Sequence, residues 1–125
     1  MTITAQPAAD IARHEQIARL NDRVRLGLDP HARIVITRNC LEQLAEAPGA
    51  PEVSFVLQAQ LMAAFRDCTF GEDSPERDFA AITFLGFKVW AKIDYYAPGL
   101  EFGSEDPADP ARTVRVMTIL LPEDY

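Results

Sequence analysis

The feature that most constrains the fold is an alternating run of side chains that follows a two-residue turn at Leu85-Gly86. Over residues 87–96 the side chains alternate as in a β-strand with one buried face. Gly86 can adopt the positive φ that a tight hairpin turn requires, so the preceding run, residues 78–84, is predicted to be the partner strand. A chain with this hairpin is expected to fold around a sheet.

The alternation also divides the side chains of residues 87–96 between two faces of the sheet. The set predicted to face the core is Phe87, Val89, Ala91, Ile93 and Tyr95. The set predicted on the opposite face is Lys88, Trp90, Lys92, Asp94 and Tyr96. Helices on one side of a sheet leave the other side in water, so Trp90 is expected outside the core. The alternative is that the loop 97–110 folds over Trp90 and forms a second small core.

The first half of the chain predicts a helix, a strand and a short helix. A helical period runs from Pro7 or Asp10 to Arg25, and a short β-branched run at residues 32–37 predicts a strand. The apolar face of the first helix is predicted to hold Ile11, Ile17, Leu20 and Val24. Asn39, followed by Glu42, has the spacing of an N-cap and its N3 partner, which predicts the start of the short helix.

A second long helix is predicted over residues 53–65, with Pro51 in its first turn. Its apolar stripe, which includes Leu57 and Leu61, is wide enough to lie on a sheet. A last strand is predicted over residues 112–121. The order of helix, strand, short helix, helix and β-meander predicts an α+β fold. We expect a single antiparallel or mixed sheet of about four strands with two main helices packed on one face.

The 125 residues fit one domain, 1–125, in which residues 1–7 are expected to be a flexible tail. The chain begins without a basic and apolar leader pattern and has no apolar run of the ~20 residues that a membrane helix needs, so a cytoplasmic location without membrane contact is expected. Cys40 and Cys68 are interpreted as free thiols, and neither a metal site nor a cofactor is predicted.

The net charge of −7 is concentrated in the second half of the sequence. Residues 1–66 carry seven acids and seven arginines, whereas residues 67–125 carry twelve acids and five bases. An acidic field repels phosphates, so direct binding of DNA or RNA is not expected.

The candidate binding surface combines the polar face of the 87–96 strand with the loop 97–110. If Arg115 points to the same side as Trp90, the two join a cluster of aromatic and charged side chains, the types that dominate protein interfaces. The predicted binding residues are Trp90, Lys92, Asp94, Tyr96, Glu101, Asp106, Asp109 and Arg115. The simpler interpretation is a solvated sheet face, with Asp106-Pro107 and Asp109-Pro110 acting as turn formers.

These residues favour a binding module that acts on a protein partner through its sheet face and acidic loop. Catalysis is the less favoured alternative, because no nucleophile elbow or phosphate-binding loop is present. A small enzyme would use Asp94, Glu101 and Arg115, which would have to converge in a cleft. A third alternative is a small-ligand sensor, which requires an enclosed apolar pocket.

The C-terminal third of the sequence resembles a known family. The residues that carry the resemblance are Trp90, Lys92-Ile93-Asp94-Tyr95-Tyr96, Leu100-Glu101, Gly103-Ser104, Asp106-Pro107-Ala108-Asp109-Pro110, Thr113, Arg115-Val116, Thr118-Ile119 and Glu123 to Tyr125. The family consists of small uncharacterised bacterial proteins with a domain of unknown function, which are often encoded on plasmids and other mobile elements. The resemblance implies a genomic context, that of an accessory protein of a mobile element, and brings no established activity.

Overall fold

The computed structural model describes the chain from Ala5 to Tyr125, and its side chains from Ala9 onward. Three helices and four strands make up this part of the chain, with short 3₁₀ turns at Pro110–Arg112 and Pro122–Asp124. The elements in order are α1 (Ala5–Arg25), β1 (Arg33–Ile36), α2 (Arg38–Ala45), α3 (Ser54–Arg66), β2 (Phe79–Phe84), β3 (Phe87–Tyr96) and β4 (Val114–Leu120). The predicted tail falls mostly on residues 1–4, which lie outside the described residues, while α1 already begins at Ala5.

The four strands form one mixed sheet in the order β1-β4-β3-β2. β1 is parallel to β4, and the other neighbours are antiparallel. The hairpin turn between β2 and β3 has positive φ at both central residues, 50° at Leu85 and 83° at Gly86, which is the type I′ geometry that matches the twist of the strands. The predicted α+β fold with a single sheet of about four strands is therefore confirmed, and of the two expected sheet types, antiparallel or mixed, the sheet is mixed.

The hydrophobic core lies between one face of this sheet and the helices. Val89, Ala91 and Ile93 of β3 are buried there, as the alternation predicts. The helices cover them with Val24 from α1, Cys40 and Leu44 from α2, and Leu57, Leu61 and Phe65 from α3. Because all the helices of the described residues pack on this side, this part of the chain leaves no helical layer on the opposite side of the sheet, which we call the open face.

Two predicted helix starts are wrong. Asn39 is not the N-cap of α2, because Thr37 accepts a hydrogen bond from Cys40 N at 3.2 Å and Asn39 lies inside the helix. Thr37 follows β1 in extended conformation, which leaves its hydroxyl free to cap the first turn. Likewise, α3 begins at Ser54, three residues after Pro51, and its cap residue Val53 makes no side-chain hydrogen bond.

The two cysteines are free, and their surroundings differ in access. Cys40 is fully buried, and burial raises its pKa to about 11. Cys68 is half-buried, and burial also raises its pKa.

We expect iodoacetamide at pH 8 to alkylate Cys68 in the folded protein and to leave Cys40 unmodified. Cys40 is inaccessible, and a thiol with its pKa of about 11 has about 100-fold less thiolate than an ordinary thiol. Peptide mapping before and after denaturation measures this. Equal labelling of both thiols in the folded state would contradict the burial of Cys40.

Candidate functional site

Most of the predicted binding residues that lie on strands come together on the open face of the sheet. Trp90, Lys92, Asp94 and Tyr96 of β3 lie opposite Leu120, Thr118, Val116 and Val114 of β4 in the strand register, so all eight share this face. On the other side of β3, Phe79, Ala81 and Thr83 of β2 lie opposite Lys92, Trp90 and Lys88. Arg33 and Val35 complete the face from β1, in register with Val116 and Thr118.

Trp90 is the centre of an aromatic cluster on the open face. Its ring makes edge contacts with Phe79, at 5.4 Å between centroids, and with Tyr125, at 5.9 Å. Trp90 is half-buried, whereas Phe79 is 39% and Tyr125 81% exposed. Aromatic pairs of this geometry contribute about 0.5–1.5 kcal/mol beyond the area they bury. The cluster is therefore ordered while two of its three rings still face the solvent.

The C-terminal turn contacts Trp90 from outside the sheet through the ring of Tyr125. Asp124 fixes this turn by accepting hydrogen bonds from Thr37 Oγ1 at 2.8 Å and Asn39 Nδ2 at 2.9 Å. The hydrogen bond from Thr37 lowers the pKa of Asp124. A carboxyl group with a lowered pKa contributes stability above its unfolded-state pKa and loses it as the pH falls, so Tyr125 should detach from Trp90 in acid.

The contact between Tyr125 and Trp90 gives a direct fluorescence test, since Trp90 is the only tryptophan. We expect Tyr125→Ala to shift the emission to longer wavelength and to increase quenching by iodide, because the mutation uncovers one edge of the indole. Phe102→Ala is the matched control, as Phe102 is 73% exposed in the loop 97–110. If Phe102→Ala changed the quenching and Tyr125→Ala did not, the loop would be the cover.

Lys92 and Asp94 form an ion pair within the open face. Lys92 Nζ lies 3.0 Å from Asp94 Oδ2, and this hydrogen bond raises the pKa of Lys92. Both side chains are more than a third exposed, so the pair adds little to stability. Its effect is to fix the direction of two charges beside Trp90.

Arg115 does not join the open face, which corrects the expected cluster. It is 2% exposed on the helix-covered side of β4, where Nε donates to Asn21 Oδ1 at 2.7 Å and Nη2 donates to the carbonyl of Pro107. Its guanidinium also lies over the ring of Tyr95, 5.1 Å from the centroid. Desolvation by burial lowers the pKa of Arg115. Asp94 and Arg115 therefore point to opposite sides of the sheet.

Asn21 of α1, which the sequence analysis did not single out, connects this buried arginine to the rest of the fold. Its Nδ2 donates to the carbonyl of Glu76 at 2.9 Å and to Tyr95 Oη at 2.8 Å, and Tyr95 Oη donates to Glu76 Oε1 at 3.0 Å. Burial is the largest cause that raises the pKa of Tyr95. An asparagine on the buried face of a helix is the sequence signal that marks such a position.

A second ionic group lies beside the first and fastens α1 to the segment that precedes β2. Arg77 donates to Asp22 Oδ2 at 2.8 Å and to Glu15 Oε1 at 3.2 Å, and these bonds raise the pKa of Arg77. Burial opposes ionisation of Asp22, but the hydrogen bonds from Arg77 and Arg25 leave its pKa lowered. Glu15 and Asp22 both bond to Arg77 within the fold, so the group has a structural role, although Nε of Arg25 is buried without a hydrogen-bond partner among the described residues.

The acidic loop 97–110 is fastened to α1 on the helix side. Asp106 Oδ1 lies 2.9 Å from Arg13 Nη1, and this hydrogen bond lowers the pKa of Asp106. Asp109 accepts a hydrogen bond from Ala111 N at 2.9 Å and caps the following 3₁₀ turn. Of the three predicted acids in this loop, only Glu101 is exposed, and the other two are half-buried. Asp106 and Asp109 therefore act as turn and docking residues, as the simpler interpretation holds.

Within the described part of the chain, no three side chains of the histidine, cysteine, aspartate or glutamate types come close enough together to bind a metal ion. Among its helices, none has both the length and the apolar character required to cross a membrane.

Fold and site define a small α+β protein that leaves one face of its mixed sheet open around an aromatic cluster. The chain belongs to the family described as protein of unknown function (DUF3768), which matches residues 42–124. This confirms the resemblance to a family of unknown function. The match contains β2, β3, β4 and the C-terminal turn, whereas α1 and β1 precede it. No curated protein and no solved structure matches the chain.

Proposed function

We propose that the chain is a binding module that docks a protein partner on the open face of its sheet. The observation that carries the proposal is the cluster of Trp90, Phe79 and Tyr125 on a sheet face without helices. Tryptophan and tyrosine dominate binding energy because they bury a large area and lose little conformational entropy. The resemblance to proteins of mobile elements supports a role as a cytoplasmic accessory protein.

The surroundings of the cluster also have the layout of a protein interface. Val35 is 48% exposed, and Val114 and Val116 are half-buried, so apolar side chains continue across β4 to β1. Charged side chains, Arg33, Lys88 and the Lys92–Asp94 pair, stand between and around them. Apolar and aromatic side chains mixed with charged ones are compatible with a transient protein interface, which as a whole is about as apolar as the rest of a protein surface.

The two alternatives receive less support from the geometry. An enzyme built on Asp94 and Arg115 would need both on one side of the sheet, and β3 and β4 place them on opposite sides. A ligand sensor would need an enclosed apolar cavity. The cavity that reaches the core between Arg25 and Met117 has only about 10 Å³, the space of one water molecule.

The proposal is tested by affinity capture from the native host with three forms of the protein side by side. Trp90→Ala removes the centre of the cluster, while Phe55→Ala removes a 74% exposed aromatic ring from α3, on the other side of the molecule. We expect a partner that the wild type and Phe55→Ala retain and that Trp90→Ala loses. Val116→Lys, which places a lysine opposite Asp94, should lose it as well without exposing the core. Equal capture by all forms would overturn the proposal.

We further expect no binding of DNA or RNA at physiological salt. The net charge of −7 opposes association with phosphates, which proteins neutralise with lysine and arginine side chains. A mobility-shift titration with single- and double-stranded probes measures this. Micromolar binding would contradict the expectation, and loss of that binding in Trp90→Ala would place the nucleic acid on the open face, where Arg33, Lys88 and Lys92 lie.

A further inference from the structure

The outer edge of β2 is an unprotected strand edge. β2 is the terminal strand of the sheet among the described residues, and its six residues, FAAITF, include neither a charge nor a proline. Its register with β3 is continuous from Phe79 to Phe84, so no bulge turns the edge away. Natural proteins guard free edges with charges, prolines, bulges or shortness. The opposite edge, β1, has four residues and includes Arg33, so β2 is the edge that lacks these devices.

The backbone groups that point outward from β2 follow from its pairing. Ile93 N donates to the carbonyl of Asp78 at 2.8 Å, which makes Asp78 and Ile93 a hydrogen-bonded pair. In an antiparallel ladder these pairs alternate with pairs whose N–H and C=O groups point away. Phe79, Ala81 and Thr83 therefore direct their N–H and C=O groups to the free edge, and their side chains lie on the open face.

A groove lies beside this edge and is acidic. It has a volume of about 440 Å³ and is bounded by residues 69–74, which follow α3, and by the start of β2. Its charged lining residues are Asp73 and Asp78, and Asp78 Oδ1 accepts a hydrogen bond from Ser74 Oγ at 3.1 Å. The nearby base, Arg77, is held by Glu15 and Asp22 of α1. Asp78 points to the same side of the strand as buried Ala80, so the acidic part of the groove is on the helix side.

We propose that β2 accepts an added β-strand from a protein partner, and that this strand alternates basic with apolar side chains. The inference rests on the proposed function, because it names how the partner engages the open face. The three outward N–H groups and carbonyls supply the main-chain bonds of strand addition. Apolar side chains of the added strand lie beside Phe79 and Ala81, next to Trp90, and basic ones face Asp73 and Asp78. The net charge of −7 disfavours a second copy of the chain as the occupant.

Amide hydrogen exchange tests the main-chain part of the proposal. The probe is the blocked peptide acetyl-Val-Lys-Val-Lys-Val-Lys-amide, followed by NMR on the full chain. We expect saturating peptide to slow exchange at the outward amides of Phe79, Ala81 and Thr83 by at least about tenfold. The amides of Ala80 and Ile82, which already bond to β3, serve as internal controls. Protection that grows with protein concentration in the absence of peptide would show that a second copy occupies the edge, and would overturn the proposal.

Altered peptides separate strand addition from attraction between charges. One is methylated at the valine amides and another at the lysine amides, so each loses one of the two rows of N–H groups. If the peptide adds to β2 as a strand, only one of its two rows of N–H groups faces β2, so one of the two methylated peptides should lose binding. For an antiparallel strand, this is the peptide methylated at the valine amides. A peptide with glutamate in place of lysine should not bind. Equal binding of both methylated forms would overturn the proposal.

Charge reversal at one residue tests the groove. We expect Asp73→Lys to weaken binding of the lysine peptide at least about fivefold. The matched control Glu42→Lys, at an exposed acid of α2, should leave the affinity unchanged, and equal effects would overturn the role of the groove. If Trp90→Ala lost the captured partner but the peptide did not protect the amides of β2, only the proposal of strand addition would be refuted. If the peptide protected the amides of β2 but Trp90→Ala still captured the partner, only the proposal of docking on the open face would be refuted.

Discussion

Replacing Leu61 with alanine is expected to lower the free energy of unfolding by about 2–5 kcal/mol, and Leu57→Ala should act in the same direction with a similar magnitude. Leu61 is 0% and Leu57 1% exposed, and both pack in the core between α3 and the sheet. Truncation removes apolar contacts and leaves a cavity that the surrounding strands cannot fill, since β3 is held on both sides by β2 and β4. Chemical denaturation followed by circular dichroism measures the loss.

The control for this prediction lies on the same helix. Phe55 is 74% exposed, so Phe55→Ala should change the free energy of unfolding by less than about 0.5 kcal/mol although it removes a larger side chain. A loss below about 0.5 kcal/mol at both Leu57 and Leu61 would mean that α3 presents another face to the sheet. All three substitutions introduce alanine into the same helix, so a gain in helix propensity is common to them. The difference between their free energies of unfolding therefore reports the burial of the replaced side chain.

The hairpin was the part of the fold that local sequence determined best. β3 has the bounds that its alternation predicts, and β2 begins one residue later than expected. Both depend on short-range physics, since Gly86 permits the turn and period-two alternation assigns each side chain to a face. The buried face of α3 was predictable for the same reason, from a stripe of apolar residues at helical spacing.

The side to which β4 turns could not be derived from its own residues. Both alternating sets of that strand are largely apolar, and the arginine in one set suggested that it faced water. Burial of Arg115 depends on Asn21, which lies 94 positions away in the sequence. The docking of the acidic loop has the same origin, because the partner of Asp106 is Arg13, 93 positions away. The periodicity of the sequence cannot predict such pairs, because it shows only which residues belong to the same helix or strand.

The cover over Trp90 shows a similar limit. Alternation places Trp90 on the open face, and the structure agrees. Its degree of exposure depends on Tyr125, which the C-terminal turn brings to the indole through the bonds of Asp124 to Thr37 and Asn39. Asn39 therefore orients the C-terminus of the chain instead of capping its own helix.

The second large effect is expected at Asn21, where Asn21→Leu should cost about 1.5–3 kcal/mol of folding free energy, the range for a hydrogen bond to a charged group. Leucine has a similar size, so the mutation leaves little cavity, but it removes the acceptor of Arg115 Nε and the donor to Tyr95 Oη. A buried guanidinium that loses a partner keeps its charge, because arginine does not deprotonate in proteins. The cost is thus that of a buried charged group left with one unsatisfied N–H donor, measured by denaturation with guanidinium or urea.

Gln16→Leu is the matched control on the same helix. Gln16 is exposed and donates one hydrogen bond from Nε2 to the carbonyl of Ala108 at 3.0 Å. Its replacement should cost no more than about 0.5–1.5 kcal/mol, since water can solvate the carbonyl that remains. A similar cost at both positions would show that Asn21 contributes only an ordinary hydrogen bond.

A double-mutant cycle decides whether the two residues act as a unit. Arg115→Met removes the charge while keeping much of the apolar length of the side chain, and it leaves Asn21 Oδ1 without its donor. If Asn21 stabilises the fold mainly by compensating Arg115, the double variant should be less destabilised than the sum of the single variants by about 1–3 kcal/mol. Additive losses would mean that the carbonyl of Pro107 and the ring of Tyr95 suffice for the arginine, and that Asn21 acts through Glu76 and Tyr95 alone.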